Sequence, residues 1–238
     1  DDRGEDSALD HICPEVAAEL ALLKTLRHPN CALFLGYTPP PNFCLVMEFM
    51  AMGSLRELLD NGRVRMNSRH FLSVLISVAR GLNYLHTLHP PLVHGDLNSS
   101  NILCHENWTI KIANYGTRAM MKRYFPKYSG GVPWRAPELL ADPTAEPTAK
   151  SDAYSLGIVV WELVTRELPY PDRVDMDALK REIMQGLRPV PPKHCPAPLE
   201  ELMRKCWQED AEQRPTMHEV IEFLKPLHAR LEGGRRGA

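Results

Sequence analysis

The amino-acid sequence predicts an α+β domain in which a small antiparallel sheet comes first and a large group of helices follows. Two short apolar runs, 31–37 and 43–50, are separated by three prolines and are typical of strands joined by a turn. From Gly53 onward, apolar residues recur at helical spacing with few interruptions. A chain of 238 residues with 44% hydrophobic and 24% charged residues has the size and composition of a single large globular domain.

The first helix is predicted over 15–26. Val16, Leu20 and Leu23 recur at three- and four-residue spacing, so that they form one apolar stripe. Pro14 suits the first turn of a helix, because the N–H group that it lacks would be unpaired there in any case. A His-Pro-Asn sequence follows and ends the helix, since a residue that precedes proline avoids helical backbone angles.

The remainder of the chain is predicted to be mainly helical. The run 69–88 is amphipathic, whereas 153–163 is apolar nearly all round, as expected of a helix that is buried on every side. Between them, the short apolar runs 102–104 and 110–112 predict a pair of strands. Three further helices are predicted, over 178–185, 199–207 and 218–231. Proline-rich connectors link them.

Composition and charge exclude several classes of protein. The net charge is -2 and the basic residues are spread along the chain, so we expect neither nucleic acid nor an anionic membrane as partner. No apolar run reaches the length of a membrane span, and we recognise no secretory leader. The six cysteines form no CxxC pair, which indicates reduced thiols in a cytoplasmic protein. Because the chain does not begin with Met, we expect it to be a segment of a longer protein.

Three short motifs carry the most specific information. Residues 94–101 read His-Gly-Asp-Leu-Asn-Ser-Ser-Asn, residues 114–116 read Asn-Tyr-Gly, and residues 136–138 read Ala-Pro-Glu. Their order and spacing resemble the catalytic loop, the metal-binding turn and the end of the activation segment of eukaryotic protein kinases. The resemblance covers about 15–231, and it includes Lys-Ser-Asp-Ala-Tyr-Ser-Leu-Gly at 150–157 and a later Gln-Arg-Pro-Thr.

The resemblance implies a two-lobe protein-kinase-like fold with a truncated small lobe. Residues 1–50 would supply one helix, short antiparallel strands and the hinge, 51–232 would form the mainly helical large lobe, and 233–238 would be a disordered tail. The glycine-rich phosphate loop and the small-lobe lysine are missing, and counting back from Glu19 reaches the first residue, which is compatible with truncation. Several short motifs have a tyrosine-kinase-like or Raf-like character, which favours serine and threonine over tyrosine as acceptors.

The same resemblance assigns residues to ATP-dependent phosphoryl transfer. Asp96 would accept the proton of the substrate hydroxyl, and Asn101 and Asn114 would hold Mg²⁺. Glu19 would be the ion-pair carboxylate of the small-lobe helix. The residues assigned to binding of ATP are Glu19, Met47, Glu48, Met50 and Leu103. The implied partners are ATP and a protein substrate or protein partner.

Other matches to the family are structural. Glu138 and Arg214 would form an ion pair that ties the activation segment to the C-terminal helices. Asp152 would be a buried carboxylate that accepts hydrogen bonds from the catalytic-loop backbone. A column of four side chains would link the two lobes: Leu23, Phe34, His94 and Tyr115.

Five positions depart from the family pattern. Asn114 replaces an aspartate, and an amide oxygen carries no charge to offset that of a metal ion. Gly95 replaces the arginine that grips a phosphorylated activation loop. Asn98 stands where serine/threonine kinases have a lysine that contacts the transferred phosphoryl group. Gly131 stands where they usually have a threonine that meets the catalytic aspartate and that lysine. Ser100 stands where tyrosine kinases supply an arginine.

These observations leave three functional hypotheses. The favoured one is a pseudokinase, in which the fold is a regulatory or scaffolding module. The second is an active serine/threonine kinase with atypical motifs, supported by Asp96, Asn101 and Glu19. The third is a kinase-homology regulatory module beside another catalytic domain, because the string at 94–101 resembles the one in receptor guanylyl cyclases, although plant receptor-like pseudokinases share it.

Overall fold

The computed structural model describes residues 12–125 and 131–233, and it confirms the α+β organisation, with few short antiparallel strands and many helices. Of the predicted tail over 233–238, Gly233 is the last residue of a helix, and 234–238 lie outside the described residues, as does the start of the predicted small lobe. The helices and strands, in chain order, are α1 (Pro14–Thr25), β1 (Phe34–Thr38), β2 (Cys44–Met47), α2 (Leu55–Asp60), α3 (Ser68–His86), β3 (Ile102–Cys104), β4 (Ile110–Ile112), α4 (Arg118–Tyr124), α5 (Pro137–Ala141), α6 (Ala149–Thr165), α7 (Met176–Met184), α8 (Ala197–Cys206) and α9 (Met217–Gly233).

The strands form two antiparallel pairs. β1 pairs with β2, with Phe34 opposite Met47, and both strands are shorter than the apolar runs that predicted them. β3 pairs with β4 within the predicted bounds, with Ile102 opposite Ile112, and both isoleucines are fully buried. The backbone N–H of Ala32 donates to the carbonyl oxygen of Ile112 at 2.8 Å. This bond joins the chain just before β1 to the second pair.

Helix α6 lies at the centre of the helical part. Every residue from 151 to 163 is buried, which confirms the prediction of a helix covered on every side. α6 packs against α8 and α3, and α3 packs in turn along α9. The same burial takes two carboxylates of α6, Asp152 and Glu162, into the interior, where each of them requires hydrogen-bond donors.

The sequence pattern does not predict helices α2, α4 and α5 individually. They have six, seven and five residues, which is too short for a periodic apolar stripe to show. α2 begins at a capping box instead. The Ser54 side chain accepts the N–H of Glu57, and the Glu57 carboxylate accepts the N–H of Ser54 at 2.7 Å.

The six cysteines are free thiols, of which Cys31, Cys104 and Cys206 are buried and Cys44 is exposed. Burial raises the pKa of Cys31, Cys104 and Cys206 to about 12, so these thiols stay protonated near neutral pH. Of the helices in the described ranges, none is both long enough and apolar enough to cross a bilayer.

Candidate active site

The predicted catalytic loop, residues 94–101, is fastened to α6 by Asp152. The carboxylate of Asp152 accepts the backbone N–H groups of His94 and Gly95, both at 2.9 Å. Nε2 of His86, at the end of α3, lies 2.8 Å from the same carboxylate. Asp152 is only 1% exposed, and these contacts satisfy its buried charge. They confirm the role that the sequence predicts for it.

Gly95 occupies a position that suits glycine. Its φ is +76°, in the left-handed region that larger residues rarely adopt. A Cβ atom on this residue would lie 3.2 Å from Cγ of Pro147. An arginine would therefore be strained here, and the loop carries no cation at the residue before Asp96.

Asn101 is bonded directly to the predicted catalytic aspartate. Its Nδ2 donates to the backbone oxygen of Asp96 at 2.8 Å and to Asp96 Oδ2 at 3.1 Å. Asn98 is buried, and its Oδ1 accepts the N–H groups of Ser100 and Asn101, while its Nδ2 donates to the backbone oxygen of Asp96 at 3.0 Å. Asn98 therefore shapes the loop and offers no charge to a phosphoryl group.

Asn114 lies against Asn101. Its φ is +61°, a left-handed conformation that asparagine tolerates better than most residues. Nδ2 of Asn114 donates to Oδ1 of Asn101 at 2.7 Å. The network fixes both amide orientations, because the backbone oxygen of Asp96 can only accept and therefore requires the nitrogen of Asn101. The oxygen of Asn101 is then left to accept from Asn114.

This donor set fits a magnesium ion poorly. Of Asp96, Asn101 and Asn114, only Asp96 carries a negative charge, whereas hard cations favour charged oxygen ligands. The side-chain oxygen of Asn101 already accepts the Asn114 amide, so a cation would have to displace that bond. Within the described ranges, His, Cys, Asp and Glu residues form no cluster of three or more that could hold a metal ion.

The structure places the carboxylate of Glu19 at the start of α4, in the predicted activation segment between the motifs at 114–116 and 136–138. Oε1 accepts the backbone N–H of Ala119 at 2.6 Å, and Oε2 accepts that of Met120 at 2.9 Å. Burial raises the pKa of Glu19, and these two hydrogen bonds oppose the rise. Both carboxylate oxygens of this predicted ATP-binding residue are thus bonded to the activation segment.

Helix α4 also contacts the hairpin of β1 and β2. The ring of Tyr124 stacks on Phe43 with a centroid distance of 4.4 Å and an interplanar angle of 15°. The ring of Tyr37 lies 6.2 Å from that of Phe43. Met120 is 1% exposed and belongs to the hydrophobic core. The first part of the activation segment is therefore docked on both α1 and the hairpin.

The predicted hinge is tied to β4. One oxygen of the Glu48 carboxylate, Oε1, accepts the backbone N–H of Leu33 at 2.6 Å and Nζ of Lys111 at 2.7 Å. The other residues assigned to ATP binding lie at the end of β2, just after it and on β3: Met47, Met50 and Leu103. The carboxylate of Glu19, by contrast, is bonded to α4.

A cavity of about 1150 Å³ lies between the catalytic loop, the activation segment and α1. Asp96, Asn114 and Glu19 line it together with Arg118 and Lys122 of α4. Its volume exceeds that of a typical small-molecule pocket. The predicted catalytic aspartate therefore lines a space that could admit a polypeptide segment.

The four residues of the predicted column are all buried: Leu23, Phe34, His94 and Tyr115. The rings of His94 and Tyr115 meet edge to face, with centroids 6.5 Å apart. Oη of Tyr115 donates to the backbone oxygen of Ala32 at 2.6 Å. Burial lowers the pKa of His94, which keeps its imidazole neutral in this apolar position.

The predicted ion pair between Glu138 and Arg214 is present. Nη1 and Nη2 of Arg214 donate to the two carboxylate oxygens at 2.7 and 2.9 Å. The side chain of Arg214 is fully buried, and it also donates to the backbone oxygens of Gln208, Glu209 and Lys150. Such a bidentate pair fixes geometry as well as charge. It holds α5 against the segment before α9.

Sequence reasoning misses the buried carboxylate of Glu162. It interrupts the apolar run of α6, is 0% exposed, and accepts hydrogen bonds from Ser99 of the catalytic loop and Trp134 of the activation segment. The signal was available in the sequence. A lone glutamate inside a helix that is predicted to be buried on every side must find partners.

Comparison with known proteins gives a match to the family described as "Protein tyrosine and serine/threonine kinase", over residues 6–224. Among curated proteins, "Probable serine/threonine-protein kinase drkC" of Dictyostelium discoideum is 36% identical over 220 residues, which cover 90% of this chain and 29% of that protein. "Serine/threonine-protein kinase CTR1" of Arabidopsis thaliana is 36% identical over 220 residues, or 90% of this chain and 26% of that protein. "Probable serine/threonine-protein kinase SIS8", also of Arabidopsis thaliana, is 36% identical over 223 residues, or 92% of this chain and 22% of that protein. The chain thus spans less than a third of the length of each of these proteins.

Proposed function

The chain belongs to the protein tyrosine and serine/threonine kinase family, and on that premise we propose that it is a pseudokinase domain. In this proposal, ATP-dependent phosphoryl transfer to protein hydroxyls is impaired or lost, and the fold acts as a regulatory or scaffolding module. The proposal includes a remnant small lobe over 1–50, a large lobe over 51–232 and a cytoplasmic location. Since the chain spans only part of its relatives, the activity of the whole protein is also a matter of proposal.

The observation that carries this proposal is the hydrogen bond of 2.7 Å from Asn114 to Asn101. The two residues that the family resemblance assigns to the metal are neutral amides, and the side chain of Asn114 donates to the oxygen of Asn101. Phosphoryl transfer depends mainly on positioning and on neutralising charge that develops on the transferred group. A site that supplies no second carboxylate, and in which the Asn101 oxygen already accepts a hydrogen bond, is poorly equipped to hold the neutralising cation.

The surrounding loop supports the same conclusion. Asp96 keeps its place and would accept the proton of a substrate hydroxyl, but Asn98 and Gly131 supply no cation or hydroxyl beside it. Loss of a single preorganised electrostatic group typically lowers kcat by about 100- to 1000-fold. Losses at more than one position would reduce transfer to a background level.

ATP is retained in the proposal as a ligand, with magnesium bound weakly. The residues proposed to surround it are those of the hinge region and β3: Met47, Glu48, Met50 and Leu103. The proposed protein partner, or protein substrate if transfer survives, would occupy the cavity lined by Asp96 and α4. These roles rest on the family resemblance together with the positions of the residues in the fold.

One observation favours a second candidate function, an active serine/threonine kinase with atypical motifs. Asn101 is hydrogen-bonded to Asp96 in an ordered catalytic loop, so the base is present and positioned. The similar proteins are also described as serine/threonine-protein kinases.

Transfer of labelled phosphate from ATP by the full-length protein separates these candidates, with Asp96→Ala as the control. A pseudokinase gives the same background signal in both proteins. Transfer that disappears in the Asp96→Ala protein would overturn the proposal and establish an active kinase.

A further inference from the structure

Glu162 lies outside the cavity and is the buried meeting point of three segments of the chain. Its Oε1 accepts Oγ of Ser99 at 2.6 Å and Nη1 of Arg56 at 3.2 Å. Its Oε2 accepts Nε1 of Trp134 at 2.7 Å. Each oxygen of a fully buried carboxylate therefore has at least one donor, as burial of the charge demands.

The three donors come from separate elements. Arg56 belongs to α2, Ser99 to the catalytic loop, and Trp134 to a short turn in the activation segment. Arg56 also donates to the backbone oxygens of Arg166 and Glu167, so the cation is fixed independently of the other two donors. The carboxylate thus links the catalytic loop to the activation segment through a rigid helix.

Trp134 is held from two further directions. Its backbone oxygen accepts Oγ of Ser155, on α6, at 2.8 Å. Its ring packs over Gly131, where an added Cβ would lie 2.5 Å from Cε3 of the indole. The glycine at this position therefore makes room for the ring. Together these contacts define the position of the indole N–H that reaches Glu162.

We infer that Glu162 is a positioning residue that sets the catalytic loop and the end of the activation segment relative to each other without phosphorylation of the activation segment. The observations behind this are the shared carboxylate, the partly buried indole of Trp134, which packs over Gly131, and the glycine that takes the place of a cation at residue 95. The inference deepens the proposed function, on which it rests for the identity of the loop as the functional site. It does not require that phosphate is transferred.

The inference predicts reciprocal coupling between the two segments. Loss of the indole N–H should loosen the loop around Ser99, and loss of the Ser99 hydroxyl should loosen the turn around Trp134. If Glu162 served only to neutralise Arg56, each loss would stay local.

Amide hydrogen exchange of the whole chain, followed by mass spectrometry, tests this with a matched pair of variants. Trp134→Phe removes the indole N–H that reaches Glu162. Trp161→Phe removes a different indole hydrogen bond, the one that Trp161, on α6 itself, donates to the backbone oxygen of Val190 at 2.9 Å. Both variants keep an aromatic ring and lose one hydrogen bond, so their general effects on stability should be similar.

The readout is exchange at Ser100 and Asn101, whose N–H groups are bonded to Asn98. We expect Trp134→Phe to speed this exchange about tenfold, the equivalent of one hydrogen bond, and Trp161→Phe to leave it near the wild-type rate. Equal rates at these two amides in both variants would overturn the inference.

The reciprocal variant, Ser99→Ala, keeps the proposal testable if Trp134→Phe fails to fold. It should speed exchange at Trp134 and Arg135, whose N–H groups donate to the backbone oxygens of Gly131 and Val132. An effect confined to the catalytic loop would contradict the coupling. Treatment of the wild-type protein with phosphatase should leave all these rates unchanged, and a rise in them would overturn the claim that positioning needs no phosphate. The phosphate-transfer assay is separate, so failure here and failure of the proposed function are distinguishable.

Discussion

Two regions that meet at the candidate active site treat their polar groups differently. The first region, the α6 frame, consists of Asp152, Glu162 and the pair of Glu138 with Arg214. Each buried charge in it is met by an opposite charge or by at least two N–H or O–H donors. The second region, the amide pair, consists of Asn101 and Asn114, which bond to each other.

The α6 frame stabilises the fold, whereas the amide pair lies where a ligand would bind. In the α6 frame, each charge is met by partners within the protein, and removing a partner would leave a buried ion uncompensated. In the amide pair, no charge is present to be offset by a cation from outside. A chain can therefore keep the architecture of its family while losing the electrostatics that phosphoryl transfer requires.

The largest effect is expected from breaking the frame at Glu138. Glu138→Ala leaves the fully buried Arg214 without its carboxylate, and we expect the free energy of unfolding to fall by about 3 kcal/mol. This is the low end for such a change, because Glu138 is 37% exposed and Arg214 keeps its backbone acceptors. Urea denaturation measures the loss.

A surface pair provides the control for this prediction. Glu200 and Arg204 are one turn apart on α8 and 2.7 Å from each other. Glu200 is as exposed as Glu138, at 37%, but Arg204 is 60% exposed where Arg214 is fully buried. Glu200→Ala should cost less than about 0.5 kcal/mol. If Glu138→Ala costs no more than Glu200→Ala, the frame does not depend on this ion pair.

The second prediction restores a charge to the amide pair. Asn114→Asp removes the N–H donor to Asn101 and adds a negative charge beside it, so a cation becomes favourable between the two side chains. We expect nucleotide affinity to gain a dependence on Mg²⁺ on the order of tenfold, or about 1.4 kcal/mol. Titration of a fluorescent ATP analogue with and without Mg²⁺ measures it.

The matched control is Asn107→Asp, which adds the same charge at an exposed position in the turn between β3 and β4. It should leave the affinity independent of Mg²⁺. A wild-type protein that already responds to Mg²⁺ as strongly as the Asn114→Asp variant would remove the contrast between the two regions.

The sequence predicts the α6 frame more completely than the contacts of the activation segment. The apolar run predicts burial of 153–163, and the family resemblance implies that Asp152 is a buried carboxylate, which must accept hydrogen bonds. The partner of Glu19, by contrast, cannot be predicted from a local sequence pattern. The amide of Ala119 that it accepts lies 100 residues away, on a helix of seven residues, and no local pattern encodes such a contact.

The amide pair lies between these cases. The motif places Asn101 and Asn114 near each other, and the structure does bring them together. That they bond to each other follows only from the orientation of the Asn101 amide, which Asp96 fixes in three dimensions. Sequence reasoning therefore identifies the missing charge but not the bond that replaces it.

The smallest effect is expected at Glu19, which belongs to neither region and holds α4 to α1. Glu19→Gln weakens the bonds to Ala119 and Met120, because an amide has one acceptor oxygen where the carboxylate has two. We expect a loss of about 1 kcal/mol, similar to the loss of a helix N-cap, with faster amide exchange confined to α4. Exchange that also rises in the α6 frame would show that the contact between α1 and α4 is not independent of that frame.

The pH dependence at Glu19 has a definite sign. Burial raises its pKa in the folded state above the ordinary value of 4.5, so the folded protein binds this proton more tightly than the unfolded chain does. The resulting stability is fully present below pH 4.5 and is lost as the pH rises through the folded pKa, and Glu19→Gln should abolish this component. Glu15, exposed in the first turn of the same helix, has its pKa lowered by hydrogen bonds to the backbone and to Cys13, so Glu15→Gln should remove a component of opposite sign. Unfolding curves between pH 4 and 7 test this assignment. It would be wrong if both variants changed the slope of the free energy of unfolding against pH in the same direction, because burial against α4 is what distinguishes Glu19 from Glu15.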